Sequence, residues 1–398
     1  MSSFRGFPLL WLAATTSALG NGMRWVALPL LAVRETTDPW TISLVTAAEQ
    51  APWLIFGLAA GAVADRYDRR RLALWSDLLR ALVMAAFTVA VVAGATPIAV
   101  IIVLGFLLTC GETVTSASMA AVIPQLVPPA GRPAANGRLQ AGIQVTDSLI
   151  GSLAGAALFG LAAAAPFALD ALTFAVSALC LGLLRVPQPV VTGRTGWTEG
   201  VRFVWNSRLL RGLCLLQAVL NTAFAGVLAI FVLFTGQVLG LDATGFGLLV
   251  AVFAVGGIGG GLLAGRLAAR YGTRRCLLIA STGSALSIAL VGVAQTPVQA
   301  GAAGFLLGAA YTVAGALTAA LRQNLAPDAL AGRVTSAFRL AGFGAGLIGA
   351  LAAGALASAW GLRAPFVATG VLVVAAIPAC RRMIQAATAS QPSPNLQA

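Results

Sequence analysis

Charge-poor apolar stretches, each long enough to be a helix, recur from Phe7 to Cys380, and no other feature constrains the fold of this chain as strongly. A bilayer core about 30 Å thick is crossed by roughly 20 apolar residues in helical form. Backbone amides inside it meet no water, so each run must satisfy its own hydrogen bonds, which a helix does. Of 398 residues, 59% are hydrophobic and 9% charged, where a soluble domain carries roughly 25% charged residues. The 45 glycines and 18 prolines would indicate disorder in a polar chain. Within apolar runs they suit membrane helices that approach closely and kink. The expected fold class is an all-α membrane protein.

Apolar segments separated by polar or Pro/Gly turns fall at roughly 7–33, 41–63, 72–94, 98–121, 138–163, 166–186, 209–239, 244–264, 276–295, 298–320, 335–357 and 364–380, which makes twelve transmembrane helices. The first run, Phe7 to Val33, is too long for a signal-peptide core and is read as a retained helix. If the chain starts inside, the turns near 64–71, 122–137, 187–208, 265–275 and 321–334 are cytoplasmic, as are both termini. Nearly all the arginines then lie inside, among them Arg66, Arg69, Arg70, Arg71, Arg132, Arg202, Arg266, Arg270, Arg322 and Arg333, while outside loops keep Arg34 and Arg363. This is the positive-inside distribution. It predicts a multi-pass protein of a bacterial inner membrane.

The longest polar stretch between helices, Pro187 to Arg211, divides the chain near its middle. It delimits a first six-helix half over 1–186, a cytoplasmic linker over 187–208, and a second half with a short tail over 209–398. At an offset near 200 the halves align Asn21 with Asn221, Gly61 with Gly261, Arg66 with Arg266, Arg70 with Arg270 and Pro97 with Pro297. A same-orientation repeat of six helices predicts a pseudo-two-fold axis along the membrane normal, with the pathway between the halves.

Histidine and lysine are absent. That excludes a Walker-type phosphate loop, a Ser-His-Asp triad, a Cys-His pair and a zincin helix. The five cysteines lie far apart within apolar runs and read as small buried residues. The net charge of +13 is carried by arginine at the membrane flanks and does not point to nucleic acid. No cofactor or metal site is expected, and the bilayer is the expected surrounding.

Between the second and third apolar segments stands Gly61-Ala62-Val63-Ala64-Asp65-Arg66-Tyr67-Asp68-Arg69-Arg70-Arg71. Gly61 permits close helix approach, and Asp65 suits capping of a helix N-terminus and pairing with arginine. The run resembles the loop signature of the major facilitator superfamily, G-x-x-x-D-R-x-x-R-R/K. The resemblance implies a conformational latch built from Gly61, Asp65, Arg66, Arg70 and Arg71. The second copy carries Gly265 where the acid would stand.

Further stretches, Gly111-Glu112-Thr113, Ile123-Pro124-Gln125-Leu126-Val127-Pro128, Ala135-Asn136-Gly137-Arg138-Leu139 and Phe167-Ala168-Leu169-Asp170, are similar to the exporter branch that includes macrolide, multidrug and enterobactin efflux proteins. Two departures concern proton coupling. The antiporter signature of the fifth helix survives only as Gly151-Ser152-Leu153-Ala154-Gly155-Ala156, without its proline. Glu112 stands in the region where many such antiporters carry an arginine in the fourth helix.

Ionisable groups at bilayer depth cost a few kcal/mol each and default to functional candidates. Asp77 and Arg80, at i,i+3, read as a structural pair. Arg24 and Glu49 read either as a pair or as a holder for an anionic substrate. Glu112 and Asp147 show no basic partner in the sequence, and exclusion from water without a cation favours a protonated carboxyl. The proton-coupling candidates are therefore Asp147, Glu112, Glu49 and Arg24. Gln140, Gln144, Asp147 and Gly151 fall on one stripe of an ideal helix. The substrate-pathway candidates are Asn21, Trp25, Trp53, Phe56, Gln140, Gln144, Gln217, Asn221 and Phe224.

Together with the charges at depth, the resemblance implies a secondary transporter, not an enzyme, that exports small amphipathic or drug-like molecules by alternating access with proton antiport, a monomer whose partners are the bilayer, protons and a small-molecule substrate. A dedicated siderophore or natural-product exporter is the nearest alternative. A polytopic membrane enzyme or lipid scramblase is the alternative of another class.

Overall fold

The computed structural model describes residues 6–128, 131–185, 198–327 and 330–389. Among them are twelve long helical rods: α1 (Phe7–Glu35), α2 (Pro39–Arg66), α3 (Arg69–Val92), α4 (Ile98–Leu126), α5, α6 (Ala165–Leu183), α7, α8 (Ala243–Tyr271), α9 (Thr273–Val293), α10 (Pro297–Leu325), α11 (Ala331–Trp360) and α12 (Ala364–Ala389). Rod α5 runs as Arg132–Gln144, a π-helical stretch Val145–Gly151, and Ser152–Leu161; α7 runs as Arg208–Leu233 and a π-helical end Phe234–Val238. A short helix, Thr198–Asn206, precedes α7. Nine of the rods are long and apolar enough to cross a bilayer by that measure alone. The all-α membrane fold expected from the apolar runs is the one observed among the described residues, and the expected count of twelve helices is consistent with it.

Helix ends follow local chemistry. Asp68 accepts from the Arg71 amide at 3.1 Å and caps α3, Thr296 accepts from the Gln299 amide at 3.3 Å at the start of α10, and Asp242 accepts from the Gly245 amide at 2.8 Å before α8. Gly272, with φ +84°, breaks the chain between α8 and α9 in a conformation that side chains disfavour. The tight turn between α11 and α12 uses Gly361 in the same way, with φ +86°.

The chain forms two compact units, one of Met1–Arg194 with Ala229–Ala254, the other of Thr195–Leu228 with Val255–Ala398. In the first unit an apolar core joins Leu10 and Ala13 of α1, Ala73 of α3, Val122 and Leu126 of α4, Leu139 of α5 and Leu181 of α6. Large apolar side chains such as Leu82, Val89, Leu172, Ile279 and Val298 stay exposed. On a chain of this composition that is the surface lipid covers.

Within the first unit α1 and α5 meet backbone to backbone. A methyl group on Gly22 would strike the Asp147 carbonyl, and one on Gly151 would lie 2.9 Å from both Gly22 Cα and the Leu19 carbonyl oxygen. Within the second unit α7 and α11 repeat the device, since Thr222 Oγ1 donates to the Ala345 carbonyl at 3.1 Å and Gly349 faces the Thr222 carbonyl. The glycine-rich run Gly344 to Gly349 is thus a helix-packing surface.

Candidate functional site

The first unit holds a buried ionic cluster drawn from five helices. Arg24 on α1 is 2% exposed and faces three carboxylates: Glu49 of α2 at 3.2 Å, Glu112 of α4 at 3.6 Å and Asp170 of α6 at 3.7 Å. Gly20, one turn before Arg24, makes the room: a side chain there would overlap the Asp170 carboxyl and Thr173 hydroxyl. Arg80 on α3 lies 3.2 Å from Asp77 and 3.9 Å from Glu112, with its guanidinium 3.9 Å above the Phe174 ring. Asp77, fully buried, also accepts from Ser177 at 2.6 Å and from Thr115 at 3.2 Å.

Asn21 joins the two arginines. Its amide oxygen accepts from Arg80 Nη2 at 2.7 Å and from Arg24 Nη2 at 3.4 Å. Glu112 is the second bridge, since both guanidiniums reach it. The cluster is therefore one electrostatic unit and not two separate pairs.

Asp147 sits in the π-helical stretch of α5. Gln144 donates to the Ser148 hydroxyl at 2.9 Å, and Ser148 donates to the Asp147 carboxylate at 3.3 Å. The wider turn alters the stripe expected from an ideal helix: Gln140 and Gln144 are exposed, Asp147 is half-buried and Gly151 is buried against α1. Such turns recur at functional sites because they re-aim a side chain out of the helical register. Asp147 makes no ion pair within 4 Å among the described residues, and it lies within electrostatic reach of Glu112 and Arg24.

Among the described residues Arg24 and Arg80 pair within 4 Å with Glu49, Asp77, Glu112 and Asp170, so two cations serve four carboxyl groups, with Asp77 and Asp170 fully buried and Asp147 half-buried nearby. In a low-dielectric interior such an excess of negative charge is not left uncompensated. The second unit contrasts with this. There Asn221 accepts from the Tyr311 hydroxyl at 3.0 Å and donates to the Gln217 carbonyl at 2.9 Å, and Phe224 stacks on Tyr311 with ring centroids 4.6 Å apart. Among the described residues this polar and aromatic group includes no carboxylate.

The pattern of the family described as transmembrane secretion effector matches residues 3–397, nearly the whole chain. The chain belongs to the transmembrane secretion effector family of the major facilitator superfamily. Members of this superfamily are membrane transporters, and three comparisons fill in the neighbourhood. The multidrug efflux pump Tap of Mycolicibacterium fortuitum is 28% identical over 92% of this chain and 93% of that protein. The enterobactin exporter EntS of Citrobacter koseri is 25% identical over 87% of this chain and 85% of that one. The solved structure of a bacterial homologue of the human lysosomal transporter Spinster superposes with a TM-score of 0.80 at 17% identity, over 99% of this chain and 100% of that one, which shows the fold.

The superfamily's loop signature is placed in part. Arg70 donates to the Leu184 carbonyl at 2.6 Å, closing the end of α6, and Arg71 lies 3.6 Å from Asp68. The side chains of Gly61, Asp65 and Arg66 lie outside the described residues. Among the aromatics named from the sequence, Trp25 and Phe56 are exposed, Phe56 meeting Phe106 edge-on at 6.3 Å, and Trp53 is half-buried.

Three relationships in the site were not legible from the sequence of this family member. Asp170 lies near the start of α6 and reads as interfacial, yet it is wholly buried beside Arg24; Gly20 on the facing helix was the available signal. Arg80 and Asp77 read as a private pair, and Asn21 connects them to the rest. Tyr311 gave no signal beyond being a hydroxyl within an apolar run.

Proposed function

We propose that this chain is a secondary exporter of small amphipathic or drug-like molecules, working by alternating access and driven by inward proton flow. The observation that carries this is the imbalance in the first unit, where two guanidiniums serve four carboxyl groups within 4 Å and a fifth, Asp147, stands half-buried without an ion pair among the described residues. Protons are the counter-charges small enough to enter and leave such a site without rebuilding it. Arg24 and Arg80 hold Glu49, Asp77 and Asp170 at 3.2–3.7 Å. Glu112, the most exposed carboxylate of the cluster, and Asp147, without an ion pair among the described residues, are the proton carriers in this reading. Protonation favours one tilt of the two six-helix halves, and a substrate that occupies the site displaces the proton and favours the other.

Relatives named as multidrug and enterobactin exporters support the outward direction. The arginine distribution supports an inner-membrane protein with cytoplasmic termini. We further propose that the halves 1–186 and 209–398 move as bodies around the linker, that the signature from Gly61 to Arg71 latches one state, and that one chain suffices.

Proteoliposomes with an imposed proton gradient test the proposal. Substrate-dependent proton movement should be lost when Asp147→Asn and Glu112→Gln are combined; unchanged coupling in that variant overturns it. A deletion strain that loses siderophore secretion while keeping its drug resistance would replace the drug substrate with a siderophore.

A further inference from the structure

The carboxylates of the ionic cluster differ in how firmly they are held, and the difference points to a substrate class. Glu49 is 13% exposed and Asp77 and Asp170 are fully buried, whereas Glu112 is 33% exposed. Its two ion-pair contacts, 3.6 Å to Arg24 and 3.9 Å to Arg80, both lie beyond hydrogen-bond length. Among the described residues nothing donates a hydrogen bond to it.

Neither arginine depends on Glu112. Arg80 keeps Asp77 at 3.2 Å, Asn21 at 2.7 Å and the Phe174 ring. Arg24 keeps Glu49 at 3.2 Å. It also has an unfilled place to go, because Arg24 Nε and Asp170 Oδ2 are both buried without a hydrogen-bond partner and face each other at 3.7 Å. A shift of under 1 Å would satisfy both atoms, so surrendering Glu112 costs the arginines little and Arg24 gains a bond.

We propose that Glu112 is the group that recognises substrate, and that it selects lipophilic cations, which replace the two guanidiniums at its exposed edge while Arg24 closes onto Asp170. Trp25, the residue after Arg24 in α1, and Phe56 of α2 are exposed aromatics of the same unit, and aromatic faces attract organic cations. An anionic substrate fits poorly, because Arg24 is 2% exposed and already ringed by three carboxylates. This inference rests on the reading of the chain as an exporter, but its test needs neither a gradient nor transport.

Equilibrium binding to the full-length protein in lipid nanodiscs provides that test, with tetraphenylphosphonium, ethidium and rhodamine 6G as cations, triphenylphosphine oxide as a neutral probe and tetraphenylborate as an anion. The wild-type protein should bind at least one cation about tenfold more tightly than the neutral or anionic probe. Glu112→Gln should lower that cation affinity about tenfold and leave neutral binding within about twofold. Glu112→Asp, which keeps the charge, should preserve the preference for cations. Equal affinity of the wild-type protein for cation and neutral probe, preference for the anion, or binding of none of the cations overturns the proposal, and none of these readings requires a variant to fold. Gradient-driven export of a neutral compound would leave the proton-antiport reading standing and sink this one. Cation binding without proton coupling would do the reverse.

Discussion

Arg80 of α3 donates to the amide oxygen of Asn21 in α1 at 2.7 Å, and that oxygen also receives Arg24 at 3.4 Å. One neutral acceptor thus holds two like charges side by side. Without it the two guanidiniums would share only Glu112, at 3.6 and 3.9 Å.

Asn21→Ala should therefore destabilise the protein by more than a surface change does. A buried donor stripped of its acceptor costs about 1–3 kcal/mol, and two donors lose theirs here. Asn21→Asp supplies a charged acceptor at the same place and should unfold near the wild-type temperature. Thermal unfolding in detergent compares them; an alanine variant as stable as the wild type would show that the bridge contributes nothing.

The close seam between α1 and α5 gives a sharper steric expectation. Gly22→Ala sets a methyl group against the Asp147 carbonyl, and two backbones have no flexible end with which to yield. The cost should outweigh the gain of about 1 kcal/mol that alanine normally brings to a helix. Gly315→Ala in α10, where nothing lies within 4 Å, should be neutral or stabilising. If both variants shift the unfolding temperature alike, the seam is not as tight as described.

The rods themselves were legible in the sequence, because hydrophobic runs report bilayer-embedded length directly. Their ends were less so. The apolar signal of α8 fades near 264, but the helix continues to Tyr271, since Arg266 and Arg270 are good helix formers outside the hydrocarbon and Gly272 is the residue that stops it. All charges of the ionic cluster except Asp170 could be named one by one at depth, and the pairs of Asp77 with Arg80 and of Arg24 with Glu49 were readable, but the joining of those pairs into one cluster was not. Asp170 finds Arg24 only because Gly20 leaves space, and the π-turn around Asp147 depends on a hydrogen-bond register that no residue spacing announces. Asn21 was assigned to a pathway wall from its repeat partner Asn221. The structure gives both an inward partner, two arginines for one and Tyr311 for the other.

Arg24 offers a test of the cluster as a unit. Arg24→Gln removes the cation from Glu49, Glu112 and Asp170 together, and a broken buried pair costs about 3–5 kcal/mol. Adding Glu49→Gln should restore part of that loss, because the closest stranded charge is neutralised. A double-mutant cycle on unfolding should return a coupling of about 1 kcal/mol or more. Simple additivity would mean that the carboxylates find compensation independently of Arg24.

The short helix Thr198–Asn206 and the start of α11 allow packing and charge to be separated at one contact in the second unit. Glu199 and Arg333 form an ion pair there, with side chains 61% and 20% exposed, and exposed pairs contribute about 0–1 kcal/mol. Gly200 is buried beside them, where a methyl group would lie 2.5 Å from Arg333 Cβ and 2.6 Å from the Arg333 backbone. Packing should therefore dominate. Gly200→Val should lift the helix and raise the rate of tryptic cleavage after the exposed Arg202 about tenfold, equivalent to about 1.4 kcal/mol of local opening. Arg333→Ala should raise it by less than about threefold, in keeping with a weak exposed pair. If the order is reversed, the ion pair and not the glycine contact anchors the helix. The linker's hold on α11 would then weaken with salt, as exposed charge pairs do.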